Sequence, residues 1–332
     1  MQVLLMAGGG GTRLWPLSTE EKPKQFLALF DDRSLLRTTF ERVLPLVSPD
    51  QVWLSGNAKH ADLLKKDLPE LNTEQIILET AKRDNAAAIC LSQLLMNKAG
   101  IDANEVIVML PCDHRISNEE EFRTLIQNGE AFLKANPEYL VTIGIVPTHP
   151  ETGYGYIAHN QKALSQQNDV PVLAVEQFVE KPNIEKAKEY VASGKYLWNS
   201  GIYMWTLGTM LRLFADLLPN IYSLLSANLT DWEQIYHQVD ATSLDYGISE
   251  RIKTIATIPA HNLGWSDVGD FSALGEFHDE KIRTLDVSDS YLRNETSTQI
   301  RVIGMKNIIV VNTPDGLVIC DRKRAQDIKK LA

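Results

Sequence analysis

Four consecutive glycines follow the apolar run Val3 to Met6 near the amino terminus. A continuous apolar run of this kind is typical of a strand that is buried on both faces. Glycine has no Cβ, and successive backbone N–H groups in a glycine turn form a concavity that binds anions. Arg13 and Lys24 add positive charge shortly afterwards. This order predicts a polyphosphate site, and the residues expected around the phosphates are Ala7, Gly8, Gly9, Gly10, Gly11 and Thr12.

Two common glycine-rich nucleotide loops do not match this stretch. A P-loop requires Gly-Lys followed by Ser or Thr, and no Lys-Ser or Lys-Thr follows these glycines. The dinucleotide-binding fingerprint requires a third glycine five positions after the first. Counted from Gly8, that position is Arg13. The sequence therefore excludes a P-loop and a nicotinamide or flavin site, whereas a tight turn without a ligand stays open as an alternative.

The elements that position this loop alternate between apolar strands and helix-like segments up to about residue 145. Repeated β-α-β units predict an α/β fold with a Rossmann-like, mostly parallel sheet and helices on both faces. Ligands of such sheets bind at the carboxyl ends of the strands, where both the glycine loop and Asp113 are expected. The spacing of Ser117 and Glu120 predicts a capping box for the helix that runs towards Ala135.

The composition is that of an ordinary globular protein. The chain has 332 residues, of which 44% are hydrophobic, and its net charge is 33 − 43 = −10. Broad binding to nucleic acid or to an acidic membrane relies on basic surface, so neither partner is expected. Three scattered cysteines, a first strand directly after Met1 and the lack of an apolar run of about 20 residues together predict a cytoplasmic protein.

Residues 8–17 read Gly-Gly-x-Gly-Thr-Arg-Leu-x-Pro-Leu, which resembles the signature of the sugar-1-phosphate nucleotidyltransferases. The form with Trp15 and with Lys-Pro-Lys-Gln-Phe at residues 22–26 closely resembles the mannose-1-phosphate guanylyltransferases of that family. The resemblance continues in ordered blocks through most of the chain. It implies that Arg13 and Lys24 are catalytic, because they would hold the triphosphate and offset the charge on the departing pyrophosphate. Surface solubility is the alternative role for both.

Two further blocks resemble the metal motifs of the family. Asp113 lies in Leu-Pro-Cys-Asp-His, and Asp267 lies in Gly-Trp-Ser-Asp-Val-Gly. The resemblance implies that these aspartates bind Mg²⁺, which takes few protein carboxylates and keeps water or phosphate oxygens as its other ligands. Taken alone, Asp113 is equally well explained as a carboxylate that caps a loop.

The blocks that resemble the sugar-binding motifs of the family lie in the second half of the chain. Phe-Val-Glu-Lys-Pro at residues 178–182, Trp-Asn-Ser-Gly-Ile at residues 198–202 and Ser-Leu-Asp-Tyr at residues 243–246 match family blocks. A surface ion pair is the alternative for the Glu-Lys pair. The residues implied for binding the sugar phosphate are Gly153, Glu180, Lys181, Asn199 and Asp245.

The block that selects the base matches the family least well. Residues 82–88 read Lys-Arg-Asp-Asn-Ala-Ala-Ala, where the family often has Gly-Arg-Asn-Thr-Ala-Pro-Ala. A carboxylate at Asp84 can accept from N1–H and the amino group of guanine. The departure leaves the mode of base binding open. The expectation that the base is guanine therefore depends on the resemblance at Trp15 and residues 22–26. The further residues expected around the nucleotide are Arg83, Asp84, Asn85 and Pro111.

The pattern changes after residue 275 to short β-rich runs separated by turns that contain glycine. The sequence therefore predicts a catalytic domain at residues 1–275 and, at residues 276–332, a small β-rich module with a terminal helix. The resemblance implies that this module is a short left-handed β-helix used for dimerisation, so that the protein is a homodimer.

The resemblance implies transfer of GMP from GTP to α-D-mannose 1-phosphate, with direct in-line attack on the α-phosphate to give GDP-mannose and pyrophosphate. A sugar phosphate already presents an ionised oxygen, so no general base is required. One alternative is a nucleotidyltransferase for another sugar 1-phosphate, such as glucose or a heptose. The other is a catalytically silent paralogue that binds a nucleotide sugar and regulates a partner. The retention of both cations and both aspartates argues against the silent paralogue.

Overall fold

The computed structural model describes residues 1–9, 11–167 and 170–331. The chain forms two compact units. The first comprises Met1–Gly8, Phe40–Pro111 and Ile116–Trp265, and the second comprises Gly9–Thr39, Cys112–Arg115 and Ser266–Ala332. No helix in the described part of the chain is long and apolar enough to cross a membrane.

The strands carry most of the apolar runs seen in the sequence. They are β1 Gln2–Ala7, β2 Val52–Asn57, β3 Ile76–Glu79, β4 Val106–Pro111, β5 Leu140–Ile145, β6 Tyr156–Gln167, β7 Val170–Val179, β8 Tyr196–Thr206, β9 Ile255–Ala260, β10 Phe277–His278, β11 Ile282–Leu285, β12 Tyr291–Asn294, β13 Ile300–Ile303, β14 Ile308–Thr313 and β15 Gly316–Asp321.

The α-helices alternate with the strands in the first part of the chain. They are α1 Leu35–Val43, α2 Ala61–Asp67, α3 Asp84–Lys98, α4 Glu119–Ala135, α5 Ile184–Ser193, α6 Leu207–Leu217, α7 Pro219–Ala227 and α8 Trp232–Ile235. Two further helical segments matter below. Asp245–Ser249 forms a π-helical turn, and Arg322–Lys330 forms a 3-10 helix.

The first unit is built on a nine-stranded sheet in the order β3-β2-β1-β4-β8-β5-β9-β7-β6. The amino-terminal strands β1 to β4 pair in parallel, as does β5 with β9. Strand β8 is antiparallel to both β4 and β5, and β6 and β7 are antiparallel to each other. The predicted α/β class with a mostly parallel sheet and flanking helices is confirmed, and the antiparallel pairings of β6, β7 and β8 make the sheet mixed.

The apolar core of the first unit explains why α3 is rich in alanine. Ala86, Ala87 and Ala88 are all buried, and α3 packs in one hydrophobic cluster with α6, α7 and the strands β1 and β4. Because neighbouring elements surround the helix, its faces are largely apolar. Its small side chains let it approach these neighbours closely.

The second unit contains the predicted carboxy-terminal β module. Its sheet has the order β10-β12-β14-β15, in which β10, β12 and β14 are parallel, and β11 pairs in parallel with β13. Two stacks of short parallel strands that alternate along the chain are the arrangement of a β-helix, and Leu292, Val302 and Val310 fill its interior. Leu14, Leu17 and Leu27 from the amino-terminal segment are buried in a neighbouring cluster with residues of this module, among them Tyr291, Ile309 and Ile328.

One helix start differs from the prediction. Helix α4 begins after Asn118, whose side-chain oxygen accepts from the backbone N–H of Glu121 over 3.1 Å. The predicted capping box of Ser117 and Glu120 is therefore wrong by one residue. Asn is as good an N-cap as Ser, and the same three-residue spacing is satisfied by Asn118 and Glu121.

Candidate functional site

Lys24 is the centre of a charged cluster in the second unit. The residue is only 6% exposed. Its Nζ donates to Oδ2 of Asp113 over 3.0 Å and to the backbone carbonyl of Asp267. A buried ammonium requires such partners, because its desolvation is otherwise costly. The cluster therefore brings together the predicted catalytic lysine and both predicted metal aspartates.

A short antiparallel bridge holds the two aspartate segments side by side. The N–H of Arg115 donates to the carbonyl of Ser266 over 2.9 Å, and the N–H of Ser266 donates to the carbonyl of Arg115 over 3.0 Å. The carboxylate of Asp267 accepts from the N–H of Gly269 over 3.1 Å. These backbone contacts make the approach of the two aspartates a property of the fold rather than of mobile side chains.

The charge around Asp113 favours its ionised form. Burial raises the pKa of the Asp113 carboxyl, but the charges of Lys24 and His114 and the hydrogen bond from Lys24 outweigh burial. The pKa of Asp113 therefore lies below its ordinary value. An ionised carboxylate is the form that binds a divalent cation.

Gly11 shows why the glycine turn tolerates no side chain at that position. Its φ is +61°, and a Cβ there would lie 2.5 Å from Cβ of Lys24. Its carbonyl accepts from Oγ of Ser18 over 2.6 Å. Gly9 has a φ of +105° with open space around it, and Gly10 lies outside the described residues. Gly11 therefore serves the packing of Lys24 as well as the turn.

Arg13 is the second predicted catalytic cation, and it lies on the short 3-10 helix Thr12–Leu14 of the second unit. The residue is partly buried. In the described ranges no carboxylate pairs with its guanidinium, in contrast to Lys24. A guanidinium with this freedom can fork two oxygens of an incoming phosphate.

Trp15 has a packing role in the same unit. Its ring lies against Gly316, where a Cβ would approach the indole within 2.7 Å, and it joins the cluster around Leu14 and Leu17. The hydroxyl of Thr313 donates to the carbonyl of Pro16 over 3.3 Å. Trp15 therefore anchors the segment after the glycine turn to the β module, and its presence carries no direct argument for guanine.

A second polar cluster lies in the first unit, around Asp245. Its Oδ1 accepts from the hydroxyl of Tyr203 over 2.6 Å and from Nδ2 of Asn199 over 2.8 Å. The sequence predicts that Asp245 and Asn199 both bind the sugar phosphate, and the structure brings these two residues into direct contact. Tyr203, which the sequence did not indicate, completes the cluster.

A β-bulge in β8 aims Asn199 at Asp245. The register between β5 and β8 shifts between Thr142 and Gly144, and Gly201 has a φ of +71°. The N–H of Gly201 donates to Oδ1 of Asn199 over 3.1 Å. Bulges of this kind re-aim side chains and are frequent beside active sites.

Glu180 and Lys181 form an exposed ion pair in the first unit. Oε1 of Glu180 lies 2.7 Å from Nζ of Lys181, and both side chains are 61% exposed. Gly155, rather than the predicted Gly153, is the glycine beside this pair. A Cβ at Gly155 would lie 2.9 Å from Oε2 of Glu180 and 3.7 Å from Cβ of Asn199, whereas Gly153 contacts Glu151.

The predicted base-binding residues have structural contacts of their own in the first unit. Arg83 donates to the carbonyl of His237. Oδ1 of Asn85 accepts from the N–H of Leu244 over 2.7 Å, which ties the start of α3 to the segment before Asp245. Asp84 is exposed, and Pro111 ends β4. Of this set, the exposed carboxylate of Asp84 is the group best placed to meet a ligand.

Three residues in or beside the predicted segments have a positive φ. Non-glycine residues seldom adopt a positive φ, and a β-branched residue does so only at a cost. Asp84 has a φ of 60°, Lys181 of 40° and the buried Val268, which follows Asp267, of 48°. Gln161, Asp286, Asp289 and Asn307 also have a positive φ and lie outside the predicted segments. Only the β-branched Val268 is therefore a conformational outlier that points to the site beside Asp267.

Gly155 and Tyr203 are the residues that sequence reasoning missed. A weak signal for Tyr203 exists, because it follows Asn199 by four positions on one strand and strand side chains alternate between faces. Gly155 could have been weighed equally with Gly153, since both flank Tyr154. Neither signal identifies the partner Asp245, which lies far along the chain.

Two family models together match nearly the whole chain. The nucleotidyl transferase family model matches residues 2–283, and the model of the MannoseP isomerase/GMP-like β-helix domain matches residues 284–332. A mannose-1-phosphate guanylyltransferase of Escherichia coli (strain K12) is 36% identical over 350 residues, which cover 99% of this chain and 72% of the relative. The relative of the same name in Klebsiella pneumoniae is 36% identical over 348 residues, which cover 98% and 72%.

Among solved structures, that of a mannose-1-phosphate geranyltransferase from Thermus thermophilus matches with a TM-score of 0.88 at 29% identity. The match covers 99% of this chain and 97% of that one.

Proposed function

Because the chain belongs to the nucleotidyl transferase family, we propose that it transfers GMP from GTP to α-D-mannose 1-phosphate, which yields GDP-mannose and pyrophosphate. The observation that carries the proposal is the buried Lys24, whose ammonium contacts the carboxylate of Asp113 and the carbonyl of Asp267. This cluster contains the charged groups that transfer between two polyanions requires. The similarity to mannose-1-phosphate guanylyltransferases over nearly the whole chain supports the choice of substrates.

The two cations have different tasks in this proposal. Arg13, with no carboxylate partner in the described ranges, grips phosphate oxygens of GTP, because a guanidinium can donate to two oxygens at once. Lys24 is held rigidly and offers a point charge against the α-phosphate and the departing pyrophosphate. Backbone N–H groups of Gly9, Gly11 and Thr12 in the second unit donate to the remaining phosphate oxygens in this proposal.

Enzymes of this family use a divalent metal ion, and we propose Mg²⁺. The donor set fits this ion, because Mg²⁺ is held by one or two carboxylates together with water and substrate phosphates. Asp113 and Asp267 supply two carboxylates, and the described residues contain no group of three or more His, Cys, Asp or Glu that would form a fuller cage. When bound, the ion would neutralise charge on the triphosphate.

The reaction then needs no protein nucleophile. A phosphate oxygen of mannose 1-phosphate forms a bond to the α-phosphorus as the bond to the pyrophosphate oxygen breaks, and that oxygen leaves with the electron pair. The attacking oxygen is already ionised, so no proton has to be removed. The protein contributes orientation and charge stabilisation, which carry most of the catalysis in phosphoryl-type transfers.

Recognition of the sugar is assigned to the first unit. Asn199, Asp245 and Glu180 present amide and carboxylate groups suited to sugar hydroxyls, and Lys181 presents an ammonium for the sugar phosphate. Gly155 lets the backbone lie close to Glu180 and Asn199, and a Cβ there would displace Oε2 of Glu180. Asp84 is proposed to accept from the edge of guanine.

We also propose that the protein is a homodimer joined through its carboxy-terminal module. Strand β15 is the edge of its sheet, and Leu317 and Ile319 on its outer face are 51% and 63% exposed. An exposed apolar edge strand invites pairing with another chain. Light scattering on Ile319→Lys tests this, with Arg301→Lys as the surface control. A dimeric Ile319→Lys protein would argue against this interface.

The function is tested by assaying pyrophosphate release with each of GTP, ATP, CTP, UTP and dTTP against mannose 1-phosphate and glucose 1-phosphate. We expect the highest kcat/KM for GTP with mannose 1-phosphate. A preference for UTP or dTTP would contradict the choice of base, and a preference for glucose 1-phosphate the choice of sugar. No turnover with any pair would favour the silent paralogue.

A further inference from the structure

Tyr203 and Asp245 form a short contact between polar side chains in the first unit's candidate cluster. The hydroxyl of Tyr203 lies 2.6 Å from Oδ1 of Asp245, and the residue is only 1% exposed. Asn199 donates to the same oxygen over 2.8 Å and contacts the hydroxyl of Tyr203 over 3.3 Å. One oxygen of the carboxylate therefore carries two donors, both of them on β8.

Both partners of this contact are fixed by backbone structure. Tyr203 is paired in the sheet with Thr142 of β5 and Met109 of β4. Asp245 begins the π-helical turn, and its carbonyl accepts from the N–H of Glu250 over 2.9 Å. Turns of this width are rare and often lie at functional sites. The hydroxyl therefore connects a rigid strand to an unusual turn.

The donors leave the other carboxylate oxygen available. In the described part of the chain no group donates to Oδ2 of Asp245, which is a partly buried residue. Burial and the nearby charge of Asp245 raise the pKa of Tyr203 well above its ordinary value, so the hydroxyl stays a donor throughout the working pH range. The two donors to Asp245 are uncharged, so they do not offset the negative charge of its carboxylate. The ammonium of Lys24, in contrast, offsets the charge of Asp113.

We infer that Tyr203 is a positioning residue that orients Asp245 so that Oδ2 accepts hydrogen bonds from hydroxyl groups of the sugar 1-phosphate. The sugar ring is the recognised part, since a carboxylate without a cation repels the phosphate. Burial, followed by the charges of Asp245 and Glu180, raises the pKa of Glu250, so this region is acidic and suits hydroxyl donors. The inference rests on the proposed function and deepens its account of the sugar.

The test is steady-state kinetics of Tyr203→Phe, which removes one oxygen atom and keeps the ring. We expect KM for mannose 1-phosphate to rise about tenfold, because a hydrogen bond to a charged group commonly contributes that much. KM for GTP and kcat are expected to stay within about twofold of wild type. A purely structural role would lower the melting temperature without this selective rise in KM.

Tyr236→Phe is a matched control in the same unit. The hydroxyl of Tyr236 is also buried and donates to a carboxylate, Oε2 of Glu79, over 2.7 Å. Its loss should lower stability to a similar extent and leave KM for mannose 1-phosphate unchanged. Equal KM values for mannose 1-phosphate in Tyr203→Phe, Tyr236→Phe and wild type would overturn the inference.

A double-mutant cycle tests whether Tyr203 acts through Asp245. In an Asp245→Ala background, Tyr203→Phe should change KM for mannose 1-phosphate by less than about twofold, because contacting residues couple and distant ones add. A full tenfold change in that background would contradict action through Asp245. The two levels of failure are separable: inactive wild type rejects the proposed function, whereas active wild type with an unaffected Tyr203→Phe variant rejects only the inference.

Discussion

The two polar clusters of this protein each centre on an aspartate, and they differ in what donates to it. In the second unit, Asp113 receives the buried ammonium of Lys24. In the first, Asp245 receives the neutral donors Tyr203 and Asn199. A cation beside a carboxylate suits a site where a nucleotidyl group passes between two anions. Neutral donors orient a carboxylate and leave its negative charge available to bind the hydroxyl groups of a ligand. Under the proposed function, the second unit carries out the chemistry and the first unit recognises the sugar.

The largest expected effect is a loss of kcat, and we expect it in the cluster around Lys24 rather than in the cluster around Asp245. Asp113→Asn keeps the shape of the side chain and removes its charge, so kcat should fall about 10²- to 10³-fold, as when one electrostatic contact to a transition state is lost. The melting temperature should fall by about 2–4 °C, because the ion pair with Lys24 is lost while the backbone bridge of Arg115 and Ser266 remains. Pyrophosphate release and thermal denaturation measure the two quantities. Activity like that of wild type would contradict a chemical role for the cluster around Lys24.

Gly11→Ala examines how closely the glycine turn is packed against Lys24. The new Cβ would lie 2.5 Å from Cβ of Lys24 at a φ of +61°. We expect a loss of about 2 kcal/mol in the free energy of unfolding, from left-handed strain and the clash together. Urea denaturation is the measurement. Gly8→Ala is the control for stability, because no atom lies within 4 Å of a Cβ there. Equal stability of the two variants would contradict the packing role of Gly11.

Gly155→Ala tests which glycine faces the sugar beside the cluster around Asp245. Its Cβ would lie 2.9 Å from Oε2 of Glu180, the end of an exposed side chain that can move aside. We therefore expect a rise of about fivefold in KM for mannose 1-phosphate, within the loss that a misplaced binding group causes. Gly153→Ala, which meets only Glu151, should raise this KM less. The opposite order would restore Gly153 as the glycine that faces the sugar.

The smallest expected effect is a pH dependence of stability at Asp113. Its pKa in the folded protein lies below the ordinary value of 3.8. A lowered pKa contributes stability that is present above the ordinary value and is lost as the pH falls through the folded pKa. The stability advantage of wild type over Asp113→Asn, about 1 kcal/mol for a partly exposed pair, should be present at pH 6 and decline below pH 4. Urea denaturation without metal measures it, and an advantage that grows on acidification would contradict the pairing.

The sequence predicts the parts of both clusters that local patterns determine. The apolar run of β1, the glycine turn and the alternation of strands with helices follow from side-chain periodicity and turn chemistry. Lys24, Asp113 and Asp267 are predicted as one site from their types and motifs, and the structure places them in contact. The cap of α4 at Asn118 shows the usual limit, because two adjacent residues with equal capping ability satisfy the same spacing.

The features that the sequence did not indicate depend on contacts between distant segments. Tyr203 gains its role only because a bulge in β8 turns Asn199 towards a π-helical turn that is far away in the chain. Trp15 stands in the sequence as a mark of guanine specificity, but its ring packs against Gly316 in the β module. No local periodicity encodes such pairings, which are decided by how the elements pack.

The most direct test of the central claim is a titration with Mn²⁺, followed by electron paramagnetic resonance, in the presence of a non-hydrolysable GTP analogue. We predict that Asp113→Asn weakens Mn²⁺ binding at least tenfold, whereas Asp245→Asn leaves it unchanged. Equal Mn²⁺ affinity in wild type and Asp113→Asn would contradict the assignment of chemistry to the Lys24 cluster.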